Sequence, residues 1–136
     1  TVRKCFLNES VKKCMLGTGS MTDPYIPLES KIGNVRKALA LANQYGFGFT
    51  LITKSDRILR DLDLLKSIND KTKCVVQMTL TTYDEDLCKK IEPNVSTTRE
   101  RFEALKKLNE AGIPTIVWLC LFFLSSMIQK KISQEF

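Results

Sequence analysis

The chain has 136 residues and a net charge of +6; its apolar fraction of 43% and charged fraction of 26% are ordinary for a single globular domain. It contains no histidine, which excludes histidine metal sites and histidine-based catalytic triads. The positive charge permits an anionic partner such as nucleic acid. Lysines and arginines alternate with acids, however, as in Lys54-Ser-Asp-Arg57 and Arg60-Asp-Leu-Asp63, the pattern of a solvated surface.

Residues 1–10 give no clear signal. Lys12 to Leu16 reads as a short strand entering a Gly-Thr-Gly turn. The spacing of Ile32, Val35, Leu39 and Ala42 predicts one helix over 28–45, stopped by Gly46. Phe47 to Thr53 is a continuous apolar run, the mark of a buried parallel strand. Ser55 or Asp56 can cap the next helix, with Ile58, Leu62, Leu65 and Ile68 on its inner face. Asn69 to Thr72 reads as a turn and Lys73 to Leu80 as a third strand. A short helix over 84–91 runs to Pro93. Thr97 and Glu100 have capping-box spacing and open a helix with Phe102, Leu105 and Leu108 on one face. Gly112 closes it, and Ile113 to Leu121 forms a fourth strand in which Trp118 is expected in the core. The order βαβαβαβ predicts an α/β fold with a parallel sheet, open or part of a barrel.

In such folds ligands bind where strand C-termini meet helix N-termini. Two polar runs fall there: Gly17-Thr-Gly-Ser-Met-Thr-Asp-Pro-Tyr-Ile-Pro-Leu-Glu29 and Leu51-Ile-Thr-Lys-Ser-Asp56. They predict a pocket for a small charged ligand resembling an amino acid or a nucleotide. For Ser20, Thr22 and Asp23 the alternative is unaided turn chemistry, and for Lys54 a solvated strand-end lysine. Glu92 and Arg101 read as an ion pair, structural rather than cofactor-positioning.

Five cysteines (Cys5, Cys14, Cys74, Cys88 and Cys120) show no Cys-x2-Cys or Cys-x3-Cys spacing. Cys74 and Cys120 are expected in the core. An odd count without a disulfide framework suggests a reducing cytoplasm. The apolar run from Thr115 to Ile128 is shorter than the roughly 20 residues of a membrane span, so no membrane partner is expected.

The two polar runs form a series with Ile58-Leu-Arg-Asp-Leu-Asp-Leu-Leu65, Lys90-Ile-Glu-Pro93, Arg99-Glu-Arg-Phe-Glu-Ala-Leu105 and Glu110-Ala-Gly-Ile-Pro114. This series, from about Lys12 to Cys120, resembles radical S-adenosylmethionine (radical SAM) proteins of the spore photoproduct lyase-like group, also called DNA repair photolyase-like. The resemblance implies a (β/α)6 partial TIM-like barrel, of which residues 1–120 would hold strands two to five. It implies a 4Fe–4S cluster that cleaves S-adenosylmethionine reductively, and a nucleic-acid substrate for the intact parent. It also implies cofactor contacts from Ser20, Thr22, Asp23 and Glu29 near the first turn, from Lys54 to the cofactor carboxylate, and from Thr79 to the ribose or carboxylate. The family's Cys-x3-Cys-x2-Cys loop is not in this chain, so no metal ligand and no catalytic residue is assigned. The chain alone is expected to be inactive, unless a separate N-terminal segment complements it. The rival expectation is a non-catalytic remnant that binds S-adenosylmethionine, a nucleotide or another protein.

Residues 121–136 depart from the family pattern. A family-like continuation Pro-Ile-Phe-Pro-Phe-Ile-Asn-Asp-Thr-Glu-Glu-Asn-Ile, written in suitable codons and read one base out of frame, gives Leu121-Phe-Phe-Leu-Ser-Ser-Met-Ile-Gln-Lys-Lys-Ile132. This tail is expected to be a frameshifted or atypical segment.

Overall fold

In the computed structural model, residues 14–120 are described, together with 124, 125, 128, 129 and 133. The expected start of the first strand at Lys12 and most of the 121–136 tail lie outside them. Four strands form one parallel sheet in the order β1-β2-β3-β4: β1 Met15–Thr18, β2 Gly48–Thr53, β3 Cys74–Leu80 and β4 Thr115–Leu119. Register pairs Leu16 with Phe49, Leu51 with Val76 and Met78 with Val117. The connections are helical: α1 Glu29–Ile32 and α2 Asn34–Tyr45, then a 3-10 turn Asp56–Asp61 leading into α3 Leu62–Lys71, then α4 Glu85–Ile91 and α5 Thr98–Glu110. This is the expected α/β architecture, an open parallel sheet forming part of a TIM-like barrel.

The core lies between one sheet face and the helices. Leu51, Val76 and Met78 from the strands meet Leu39, Ile58, Leu65, Ile68, Ala104 and Leu108, all buried. Each fully buried Leu or Ile contributes about 1.5–3 kcal/mol. On β3, Cys74, Val76, Met78 and Leu80 are buried while Val75, Gln77 and Thr79 are half-buried. The second face carries a polar row: Gln77 Nε2 donates to Thr50 Oγ1 (3.0 Å), and Trp118 Nε1 donates to Gln77 Oε1 (2.8 Å).

The local signals act as expected at two caps. Ser55 Oγ accepts from Arg57 N–H, and the Thr97–Glu100 capping box is complete. Five expectations need correction. The helix over 28–45 is two helices, because Gly33 adopts φ 66° and closes α1 on Glu29 O. The residues expected to form a turn after Ile68 continue α3 to Lys71. On α5 the inward positions are Arg101, Ala104, Leu105 and Leu108, and Phe102 is 43% exposed. Arg101 takes the inner place because its guanidinium finds a carboxylate and two carbonyls there. Trp118 is 53% exposed, with Ile116, Val117 and Leu119 also exposed, because among the described residues β4 is an edge strand paired to β3 alone. Cys74 is buried as expected, whereas Cys120 is only partly covered.

Candidate functional site

The C-terminal ends of β1, β2 and β3 open into a pocket of about 440 Å³, within the range of small-ligand sites. Gly19, Ser20 and Met21 line it after β1, Ile52, Thr53 and Lys54 at the end of β2, and Thr79 at the end of β3. Asp23 and Val95 complete the wall.

The turn after β1 requires glycine. Gly19 has φ 92°, and a Cβ there would lie 2.1 Å from the backbone oxygen of Ile52. Gly19→Ala is therefore expected to lower the unfolding free energy by about 1–3 kcal/mol, measured by urea titration; an unchanged midpoint would contradict this close approach.

Asp23 braces the turn. Its Oδ1 accepts from Tyr25 N–H (2.8 Å) and from Thr53 Oγ1 (2.8 Å), and its Oδ2 accepts from Lys54 N–H (2.7 Å). Thr53 Oγ1 in turn accepts from Ser55 N–H (3.0 Å). The carboxylate thus fixes the β1 loop against the end of β2.

Lys54 Nζ pairs with Glu92 Oε1, and its side chain is 37% exposed. Glu92 Oε2 accepts from Arg101 Nη2 at 2.7 Å. Burial pushes the Glu92 carboxyl up, but hydrogen bonds from Lys54 and Arg101 outweigh it and hold the group below the usual carboxylate range. Arg101 is fully buried. Its Nη1 donates to Thr79 O and its Nε to Ser96 O, both at 2.8 Å.

Four of the six residues expected to contact a ligand thus meet at one pocket: Ser20, Asp23, Lys54 and Thr79. Thr22 is exposed and outside the lining. Glu29 is also outside it: only 5% exposed, it accepts from Val35 N–H (2.7 Å) and pairs with Arg60 (3.4 Å). Its place is explained by the helix break at Gly33, where it serves the first turn of α2. The runs expected at the pocket hold Gly19 and Thr53, and the expected ion pair of Glu92 with Arg101 is present; sequence reasoning missed Val95 as a lining residue and the extension of that pair to Lys54, which nothing in sequence spacing marks.

Residues 2–125 match the family model of the radical SAM superfamily. The chain belongs to the radical SAM superfamily. It is 26% identical to an uncharacterized protein of Acidianus two-tailed virus, covering 95% of this chain and 44% of that protein. It is 32% identical to an uncharacterized protein of Methanocaldococcus jannaschii, covering 86% of this chain and 42% of that one. The chain therefore spans less than half the length of these relatives. Among solved structures it is similar to spore photoproduct lyase complexed with dinucleoside spore photoproduct, with TM-score 0.61 and 16% identity, covering 85% of this chain and 32% of the lyase. A cysteine-to-serine mutant of that lyase gives TM-score 0.62 at 17% identity and the same coverage. These likenesses establish the shared fold.

The superfamily uses S-adenosylmethionine and a 4Fe–4S cluster. An iron–sulfur cluster needs several cysteine thiolates brought together. Here Cys74 and Cys88 are buried in the protein interior, Cys14 is exposed and Cys120 half-buried. Among the described residues no group of three or more His, Cys, Asp or Glu could hold a metal ion. These residues do not fit the cluster. Lys54, three hydroxyl residues (Ser20, Thr53 and Thr79) and the Gly19 backbone line one cavity, a donor set that suits a nucleoside cofactor. Among the described residues, no helix is long and apolar enough to cross a membrane.

Proposed function

We propose that the pocket binds S-adenosylmethionine, and that this chain is the cofactor-binding part of a larger, spore photoproduct lyase-like radical SAM enzyme. The observation that carries this reading is Lys54, which ends β2, pairs through its ammonium with Glu92 and lines the same cavity as Gly19, Ser20 and Thr79. A lysine suits a compact carboxylate; the Ser20 and Thr79 hydroxyls suit the polar groups of the amino acid and ribose. Asp23 acts on the ligand through the backbone it braces. The family's chemistry is one-electron cleavage of the bound sulfonium. We place the cluster ligands elsewhere in the whole protein, and this chain's contribution is to bind and orient the cofactor. As in the sequence reading, residues 1–120 form the barrel part and 121–136 an atypical tail.

Calorimetric titration of the chain with S-adenosylmethionine tests the reading. Lys54→Met is expected to weaken binding about tenfold or more, the effect of losing a hydrogen bond to a charged group. It should leave 5′-methylthioadenosine, which lacks the amino-acid portion, unaffected. Absence of binding by the unmodified chain would refute the assignment of the pocket. Binding without any iron–sulfur absorbance after anaerobic mixing with an upstream cysteine-loop segment would favour a non-catalytic binding module.

For the whole enzyme we propose a nucleic-acid substrate. Support comes from the fold shared with a lyase solved with a dinucleoside lesion, and the net charge of +6 permits such a partner. Affinity for DNA that falls steeply with salt would agree.

A further inference from the structure

Three walls of the pocket come from separate parts of the chain. Lys54 ends β2, Thr79 lies near the end of β3, and Val95 belongs to the loop between α4 and α5. One side chain is linked to all three, directly to Thr79, through Ser96 to Val95 and through Glu92 to Lys54. Arg101 projects inward from the first turn of α5 with no exposed surface. It donates to Thr79 O and to Ser96 O, the carbonyl one residue past Val95. Through Nη2 it also holds Glu92 Oε2 at 2.7 Å. The other Glu92 oxygen holds the Lys54 ammonium.

A guanidinium is suited to this task, since its planar donors satisfy three acceptors in fixed directions. Glu92 is suited to its own, since one carboxylate bridges two cations and leaves the trio with a net charge of +1. A lone lysine on a four-carbon stem would sample many rotamers, and ordering it on binding would cost entropy. Glu92 removes that freedom beforehand, and Arg101 removes the freedom of Glu92.

We propose that Arg101 and Glu92 are positioning residues that fix the Lys54 ammonium at the mouth of the pocket, so that it selects a ligand bearing a carboxylate. The choice of ligand rests on the cofactor reading given above; the positioning itself does not.

The test uses the full chain labelled with 15N in its lysine side chains. The Lys54 ammonium resonance is identified by its loss in Lys54→Met. In the unmodified chain it should be sharp and protected from solvent exchange. In Arg101→Lys, which keeps the charge but cannot span three acceptors, it should collapse into the signal of free lysines. Glu92→Asp keeps the pair with Arg101 while shortening the reach to Lys54, and should do the same. A protected Lys54 signal in either folded variant would overturn the proposal, and Glu92→Asp decides if Arg101→Lys fails to fold. A second arm compares ligands. Glu92→Asp should weaken S-adenosylmethionine about tenfold and leave 5′-methylthioadenosine unchanged. Equal weakening of both would show a merely structural role and overturn the selection of a carboxylate. If the unmodified chain binds neither, the cofactor reading fails, and the lysine spectra alone decide the positioning.

Discussion

Replacing Arg101 with methionine is expected to lower the unfolding free energy by about 3–5 kcal/mol, the cost of removing one partner from a buried ion pair. Methionine fills much of the same volume, so the loss is not one of packing. It arises because Glu92, largely buried, loses one of its two cationic partners among the described residues, and because the carbonyls of Thr79 and Ser96 lose this donor. Urea unfolding of the variant measures the effect, and a loss below about 1 kcal/mol would contradict it. The double variant Arg101→Met, Glu92→Leu should be less damaged than Arg101→Met alone. Removing both charges leaves no uncompensated carboxylate, and Lys54 can turn to solvent. A double variant as unstable as the single one would place the cost in the carbonyls instead.

Much of the fold was legible because its signals are local. A run such as Phe47 to Thr53 can only be a buried strand, and Ser55 and Thr97 cap the helices that follow them through bonds within three residues. The site was legible in part for the same reason: a lysine that ends an apolar strand stands at a ligand-binding edge. What failed depends on partners distant in sequence. Asp23 forms the expected turn, accepting from Tyr25 N–H two residues on, and borders the pocket; what spacing does not show is that it also braces Thr53 and Lys54, 30 and 31 positions away. Amphipathic reasoning sends a charged residue outward and an aromatic inward, which misplaces both Arg101 and Phe102. The burial of Arg101 becomes affordable only once Glu92 and two carbonyls have been brought to it by the fold. Trp118 fails differently: hydrophobicity alone does not reveal that β4, among the described residues, has a neighbour on one side only. Glu29 fails because Gly33 interrupts a helical repeat that continues in sequence but not in space.

The second large effect lies outside the pocket, at Asp61. This fully buried carboxylate accepts from Tyr25 Oη (3.0 Å), Arg36 Nη1 (2.9 Å), Arg60 Nε (3.2 Å) and Arg60 Nη2 (3.0 Å). It thereby ties the segment before α1, helix α2 and the 3-10 turn together. Burial pushes its carboxyl up, but the hydrogen bonds from Arg60, Arg36 and Tyr25 outweigh burial and hold it below its ordinary value. The unfolded chain binds a proton at this group near pH 3.9, and the folded chain only at lower pH. Its stabilisation is therefore complete well above pH 4 and disappears as pH falls through the folded-state value. Glu92 acts in the same direction from a slightly higher starting point. Asp61→Asn is expected to cost about 3–5 kcal/mol at pH 7, because two arginines lose their shared buried carboxylate. The difference between the variant and the unmodified chain should shrink steadily below pH 4. Tyr25 contributes the opposite limb: burial, and then the Asp61 charge, push its phenol far above the usual range. The unfolded phenol ionises near pH 10 while the folded one stays protonated, so this contribution is present below pH 10 and lost above it. Tyr25→Phe should flatten the alkaline limb and only soften the acid limb, because Asp61 loses one donor but keeps Arg60 and Arg36. Urea midpoints followed from pH 2.5 to 11 separate the two, and an acid limb unchanged in Asp61→Asn would show that other carboxylates set it.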